Sequence, residues 1–165
     1  MDVTDPLNKA HAAILRAIEG ITDTEGYLGA VVKNWTLKDA LAHICAREHL
    51  LGEILSMFIH MAEDKPFYDK YSKSNLEKFD NFEVEEYKHI IYQEIRMDYI
   101  STHDYVMGLV YNINKDSPES FKEKIHWRDS ECSLQEYIQD TCDYKLELAE
   151  KITKFRQTHK HGGER

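Results

Sequence analysis

The residues with the widest chemical reach in this sequence are His43, Asp98 and Tyr144. An imidazole titrates near neutral pH, so His43 suits acid/base work or metal ligation. By helical spacing it stands at the margin of an apolar stripe, near Ala40, Arg47 and Ile54. A hydrogen-bonded histidine at the core boundary is the plainer reading of that position. Asp98 shares a helical face with Ile91, Ile95, Thr102 and Leu109, with Glu94 one turn earlier. A carboxylate on an apolar face must be paired or protonated, because burying a bare charge is costly. Either a partner such as Arg47, Lys38 or Tyr144 meets it at a bundle end, or it forms one wall of a polar pocket with His43, Thr141 and Tyr144 opposite. The chain has no Gly-rich phosphate loop, no GxSxG, no HExxH and no cysteine paired with a nearby motif histidine.

Four helical stretches would have to position these groups. The first follows Asp5-Pro6, carries Leu7, Ile14, Leu15 and Ile18, and stops at Gly20. The second opens at Thr36 with Asp39 three residues later, an Asp variant of the capping box. Leu37, Leu41, Ile44, Leu51, Ile54, Leu55 and Phe58 then recur at helical spacing until about Ala62. The third is expected from near Asp80, boxed by Glu83, through Val84, Ile91, Ile95, Thr102, Val106, Leu109 and Ile113. The fourth opens on Ser133-Leu134-Gln135-Glu136, with its stripe on Leu134, Ile138, Thr141, Leu148, Ile152 and Phe155.

Amphipathic helices without intervening strands bury their stripes against one another, which predicts an all-α four-helix bundle. Its links, residues 21–35, 64–79 and 114–132, are long for a bundle, whose connections usually run about 2–8 residues. Such links supply material for a cleft at one end. The segment Pro66-Phe67-Tyr68-Asp69-Lys70-Tyr71 either lids a pocket or packs over the side of the bundle.

A length of 165 residues suits one domain, expected over 1–158 with a flexible tail at 159–165. Lys and Arg number 21 against 30 Asp and Glu, for a net charge of −9, which disfavours nucleic acid and anionic membranes as partners. The apolar stretches are interrupted by Glu53 and His60, so no membrane span is expected. The start is acidic, unlike a secretion signal, and Cys45, Cys132 and Cys142 form no CxxC. Both features point to a reducing, cytoplasmic setting.

The stretch Asn34-Trp35-Thr36-Leu37-Lys38-Asp39-Ala40-Leu41-Ala42-His43-Ile44 resembles the W-S/T-x-x-D-x-x-x-H-L/I signature of the DinB/YfiT-like superfamily. Thr141 to Phe155 is similar to the closing helix of that superfamily, above all in its ClbS/DfsB-like branch. The resemblance implies a bundle of four helices. In many members it also implies a divalent metal held by a histidine matched by His43 and by two more in a His-x-x-x-His-x-x-x-Ile pattern. Aligned on Ile152, those two positions hold Tyr144 and Leu148. Leucine cannot ligate a metal and a neutral tyrosine does so poorly, so the triad is broken here. ClbS-like relatives, which protect cells by modifying a reactive small molecule, also lack it. A shifted alignment offers His43, Asp143 and Glu147 as substituted ligands, but the helical wheel sets both carboxylates far from the apolar stripe.

The resemblance and the residues together predict a protein that binds, and if catalytic modifies, a small molecule in a bundle-end cleft. No cofactor is expected, His43 is the candidate acid/base group, and Tyr144 and Asp98 position. The rival readings are a non-catalytic dimeric interaction module and a divalent-metal hydrolase or transferase using His43, Asp143 and Glu147. His89 and His103 are expected in solvent, His49 and His60 scattered on the second helix, and His126-Trp127 plugging the bundle end. Tyr92, Tyr99 and Tyr111 fall off the core stripe and suggest a homodimer surface.

Overall fold

The computed structural model describes residues 2–59 and 64–162. His60 and Ala62, expected on the second helix, and Gly163 to Arg165 of the expected tail lie outside the described residues. The described chain is predominantly helical. Its α-helices are α1 (Thr4–Ala17), α2 (Leu37–Met57), α3 (Pro66–Ser72), α4 (Leu76–Glu86), α5 (Tyr92–Asp116) and α6 (Leu134–Gly162). Strands β1 (Lys124–Trp127) and β2 (Ser130–Ser133) form a small antiparallel sheet pairing Lys124 with Ser133 and Trp127 with Ser130. No helix among the described residues is long and apolar enough to cross a membrane.

The start signals at α2 and α6 act as their residues dictate. The Thr36 hydroxyl accepts the Asp39 N–H at 3.1 Å while the Asp39 carboxylate accepts the Thr36 N–H at 3.1 Å. Ser133 and Glu136 exchange the same pair of bonds at α6. In α1, Pro6 occupies the third helical position, where a missing N–H still breaks no intrahelical bond.

The expected third helix is two helices. Asn75 caps α4, accepting the Lys78 N–H, so the proposed box of Asp80 and Glu83 does not form. Those two acids pair instead with Arg47 and Lys70. Between α4 and α5 the backbone becomes extended at Ile90 and Ile91. Adjacent β-branched residues favour that conformation, and the period that links Val84 to Ile91 hides it. Ile91 is 46 % exposed in consequence, not part of the core.

The long links have structure of their own. Residues 64–79 fold into α3 and the start of α4. Residues 114–132 contain the hairpin, contrary to a strand-free expectation. Its turn, Arg128-Asp129, has φ of 50° and 63°, the left-handed pair a two-residue hairpin loop demands. Trp127 on β1 is buried against Tyr71 and Tyr137, and its indole N–H donates to Asp140 at 2.8 Å. The last helix continues to Gly162, through most of the segment read as a frayed tail.

The main helix pairs are α2 on α5 and α1 on α6, with α3 and α4 also laid on α2. The central helix is therefore buried on every side from Leu37 to Glu48. One polar network ties four helices together in this core. Glu48 accepts from Lys145 and from His103 Nδ1, the latter at 2.9 Å. His103 stacks on His11, and His11 Nδ1 shares a hydrogen bond of 3.0 Å with the Tyr99 hydroxyl. His103, Tyr92 and Tyr99 are thus buried, against the expectation that they face solvent or a partner. A single-stripe wheel misplaces them because α5 contacts α1 as well as α2. Tyr111 and His89 do lie in solvent.

Candidate functional site

An open cleft of about 550 Å³ lies where the approach to α2, the α3–α4 junction and the hairpin turn meet. Trp35 and Tyr71 line it with aromatic faces, and Lys33, Arg47, His126 and Arg128 with positive or titratable groups. Trp35 closes a tight turn, donating its N–H to the Val32 carbonyl at 2.9 Å, and this forces Lys33 to φ 54°. Lys33, Arg128 and Asp129 are the non-glycine residues with left-handed backbone among those described, and all of them line this cleft.

A closed polar chain runs beneath the cleft. Arg47 holds Asp80 in a bidentate pair, Nε to Oδ1 at 3.0 Å and Nη2 to Oδ2 at 2.6 Å. Its guanidinium also sits 4.0 Å from the centre of the Tyr144 ring. The Tyr144 hydroxyl is 2.7 Å from His43 Nε2, and His43 Nδ1 is 2.8 Å from the Ala40 carbonyl. A carbonyl only accepts, so Nδ1 carries the proton and Tyr144 donates to Nε2. Trp35 covers the imidazole at 4.6 Å between ring centres. Burial, reinforced by the nearby Arg47 charge, pushes His43 down to about 4. The imidazole is therefore neutral at physiological pH, and both nitrogens are occupied. Burial also raises the Tyr144 phenol.

Asp98 stands elsewhere, on the α5 side of α2. Its carboxylate accepts from His49 Nε2 at 2.9 and 3.1 Å, from the Cys45 thiol at 3.2 Å, from the Tyr87 hydroxyl at 3.2 Å and from Thr102 at 3.2 Å. Partial burial alone would raise this carboxyl, but the His49 and Cys45 hydrogen bonds outweigh it and hold it at about 2. Burial first, and the Asp98 charge second, push the Cys45 thiol far up. Among the described residues, Cys45, His49 and Asp98 form the one group of three potential ligands whose donor atoms all lie within 4.8 Å of one another. Phe67 of α3 stacks on the His49 ring, 4.6 Å between centres. Glu53 holds α3 there by accepting the Phe67 and Tyr68 amide protons at 3.2 and 2.6 Å.

The structure thus brings His43 and Tyr144 together and sets Asp98 apart from them. None of the partners expected for Asp98 reaches it: Arg47 pairs with Asp80, Lys38 donates to the Lys88 carbonyl at 2.8 Å, and Tyr144 turns to His43. Thr141 donates to its own helix, at the Tyr137 carbonyl. Asp143 and Glu147 lie on the exposed side of α6, bonded to Gln139 and Lys151, while His43 is wholly buried. The trio His43, Asp143 and Glu147 is therefore not assembled as a ligand set. Sequence reasoning passed over Arg47–Asp80 as a pair and Cys45 with His49 as a site. The second had a signal, since a cysteine and a histidine four apart share a helix face. The chain matches no protein-family model, no curated protein and no solved structure with which it was compared.

Proposed function

We propose that this chain is a DinB-like four-helix bundle, with α1, α2, α5 and α6 as its principal helices, that binds a small molecule in the cleft beside Trp35. The observation that carries this reading is an opening of about 550 Å³ that gathers the Trp35 ring with Lys33, His126 and Arg128. Flat aromatic faces at Trp35 and Tyr71 with charged groups around them suit a molecule that is part planar and part polar. On this reading no three-histidine metal site operates: Tyr144 already occupies the nitrogen of His43 that would face a metal, and Leu148 stands at the third position. His43 and Tyr144 are then positioning residues, acting on the cleft through Trp35 and Arg47.

Soaking crystals of the protein in a fragment library tests the reading directly. Bound fragments are expected to gather between Trp35 and Arg128. Fragments gathering elsewhere, or a cleft closed by its own side chains, would contradict it.

A second reading, a non-catalytic dimeric module, has one observation in its favour. The outer face of α5 exposes Met97, Tyr105 and Tyr111 at 62 %, 50 % and 66 %. Light scattering across a concentration series tests it, and a monomer at every concentration removes it.

A further inference from the structure

The geometry points to a second site: we propose that Cys45, His49 and Asp98 bind one divalent cation of the zinc class, leaving a fourth position for water or a ligand. Cys45 and His49 stand one turn apart on α2, and Asp98 faces them from α5. Sulfur to carboxylate is 3.2 Å and imidazole nitrogen to carboxylate 2.9 Å, within a set spanning at most 4.8 Å. Around a tetrahedral zinc with bonds of about 2.0–2.3 Å, ligand atoms stand about 3.3–3.8 Å apart. The two short edges lengthen by a few tenths of an ångström on closing round one ion, and the Cys45–His49 separation, at most 4.8 Å, settles to about 3.5 Å.

The donors choose the class of ion. A thiolate and an imidazole suit zinc and cobalt, and exclude magnesium and calcium, which take oxygen. Three protein ligands with a fourth place open resemble a reactive centre more than a purely structural one. Access agrees with this, since the His49 and Asp98 side chains are 29 % and 37 % exposed while Cys45 is buried. Thr102 and Tyr87 donate to Asp98, the kind of outer bonding that fixes a ligating carboxylate. Phe67 packs flat on His49 and limits how its ring turns. All three donors sit on long helices that pack on each other, so the set is held by rigid elements. The same atoms make a poor Cys-His-Asp nucleophile, because Asp98 lies between thiol and imidazole, where it opposes thiolate formation instead of relaying a proton. A bound dication reverses that by making the thiolate the favoured form.

The site is independent of the cleft reading. Its test is a cobalt(II) titration of the untagged, reduced full-length protein, followed by optical absorption. One equivalent is expected to bind, with a thiolate-to-cobalt charge-transfer band and the visible intensity of a tetrahedral ion, and zinc is expected to bleach both. The band is expected to vanish in Cys45→Ser and to survive in Cys132→Ser and Cys142→Ser. His49→Gln, at a partly exposed position and checked for native folding by circular dichroism, is expected to weaken binding at least tenfold. A folded wild type with no thiolate band, a band that persists in Cys45→Ser, or unchanged affinity in His49→Gln would each overturn the proposal.

Discussion

Two faces of α2 carry polar clusters, and they differ in how their atoms are satisfied. His43 and Arg47 point toward α4 and α6, where Asp80 and Tyr144 meet them. Cys45 and His49, about half a turn round the helix, point toward α5 and Asp98. In the first cluster His43 and Arg47 are buried, and each nitrogen of His43 has its own partner. In the second, Cys45 and His49 share the Asp98 carboxylate, and two of the three groups, His49 and Asp98, reach solvent. A closed network specifies packing, whereas converging ligand atoms with access specify binding. The histidine that the family resemblance singles out is on the closed face, and the one it ignores is on the open face.

The largest break in this contrast is Arg47→Met. It strands the Asp80 carboxylate, which is only 7 % exposed, and is expected to cost about 3 kcal/mol in urea unfolding. The pH dependence is comparable in size. The folded pKa of His43 is depressed from 6.5 to about 4, so the unfolded chain binds more protons between those values. Stability is therefore fully present above pH 6.5 and is lost as pH falls toward 4, at up to about 1.4 kcal/mol per pH unit from this group. His11, lowered to about 4 by burial and then by His103, acts in the same window and the same direction. Urea midpoints measured from pH 7.5 to 4.5 are expected to fall steadily, and His43→Gln is expected to flatten the slope.

Tyr144→Phe removes a single donor and leaves His43 Nε2 buried without a partner. A loss of about 1–2 kcal/mol is expected from the same unfolding assay. Asp98→Asn should do least. With a chelator present, water reaching its partly exposed position replaces the bonds that the amide cannot accept and keeps the loss to about 1 kcal/mol. A larger loss there would mean that the α5 cluster is as structural as the α4 one.

Local signals were legible in the sequence, and long-range ones were not. The boxes at Thr36 and Ser133 are written in residues three apart, and both helices start where those residues say. The shared face of Cys45 and His49 was equally readable, but nothing in the spacing said that Asp98 would arrive from α5. Lys145 and Glu48, which meet across 97 positions, left no local trace. The break at Ile90-Ile91 was hidden because Val84, Ile91 and Ile95 keep a helical period across it. His103 was assigned to solvent and Tyr99 to a dimer surface because a one-stripe wheel takes no account of a helix touching two neighbours. Trp127 did bury at the expected place, on a strand that its ten-residue hairpin sequence carried without a glycine to announce the turn.

The claim beneath both clusters is that α2 keeps its metal-ligating atoms on the Cys45–His49 face, while His43 on the other face is a packed, fully bonded group. The most direct measurement is the shift of the thermal unfolding midpoint on adding one equivalent of zinc, in wild type, His43→Gln and His49→Gln. An equal rise in wild type and His43→Gln, with no rise in His49→Gln, is the predicted result. A rise that disappears with His43 and persists without His49, or no rise in any of the proteins, would contradict the account.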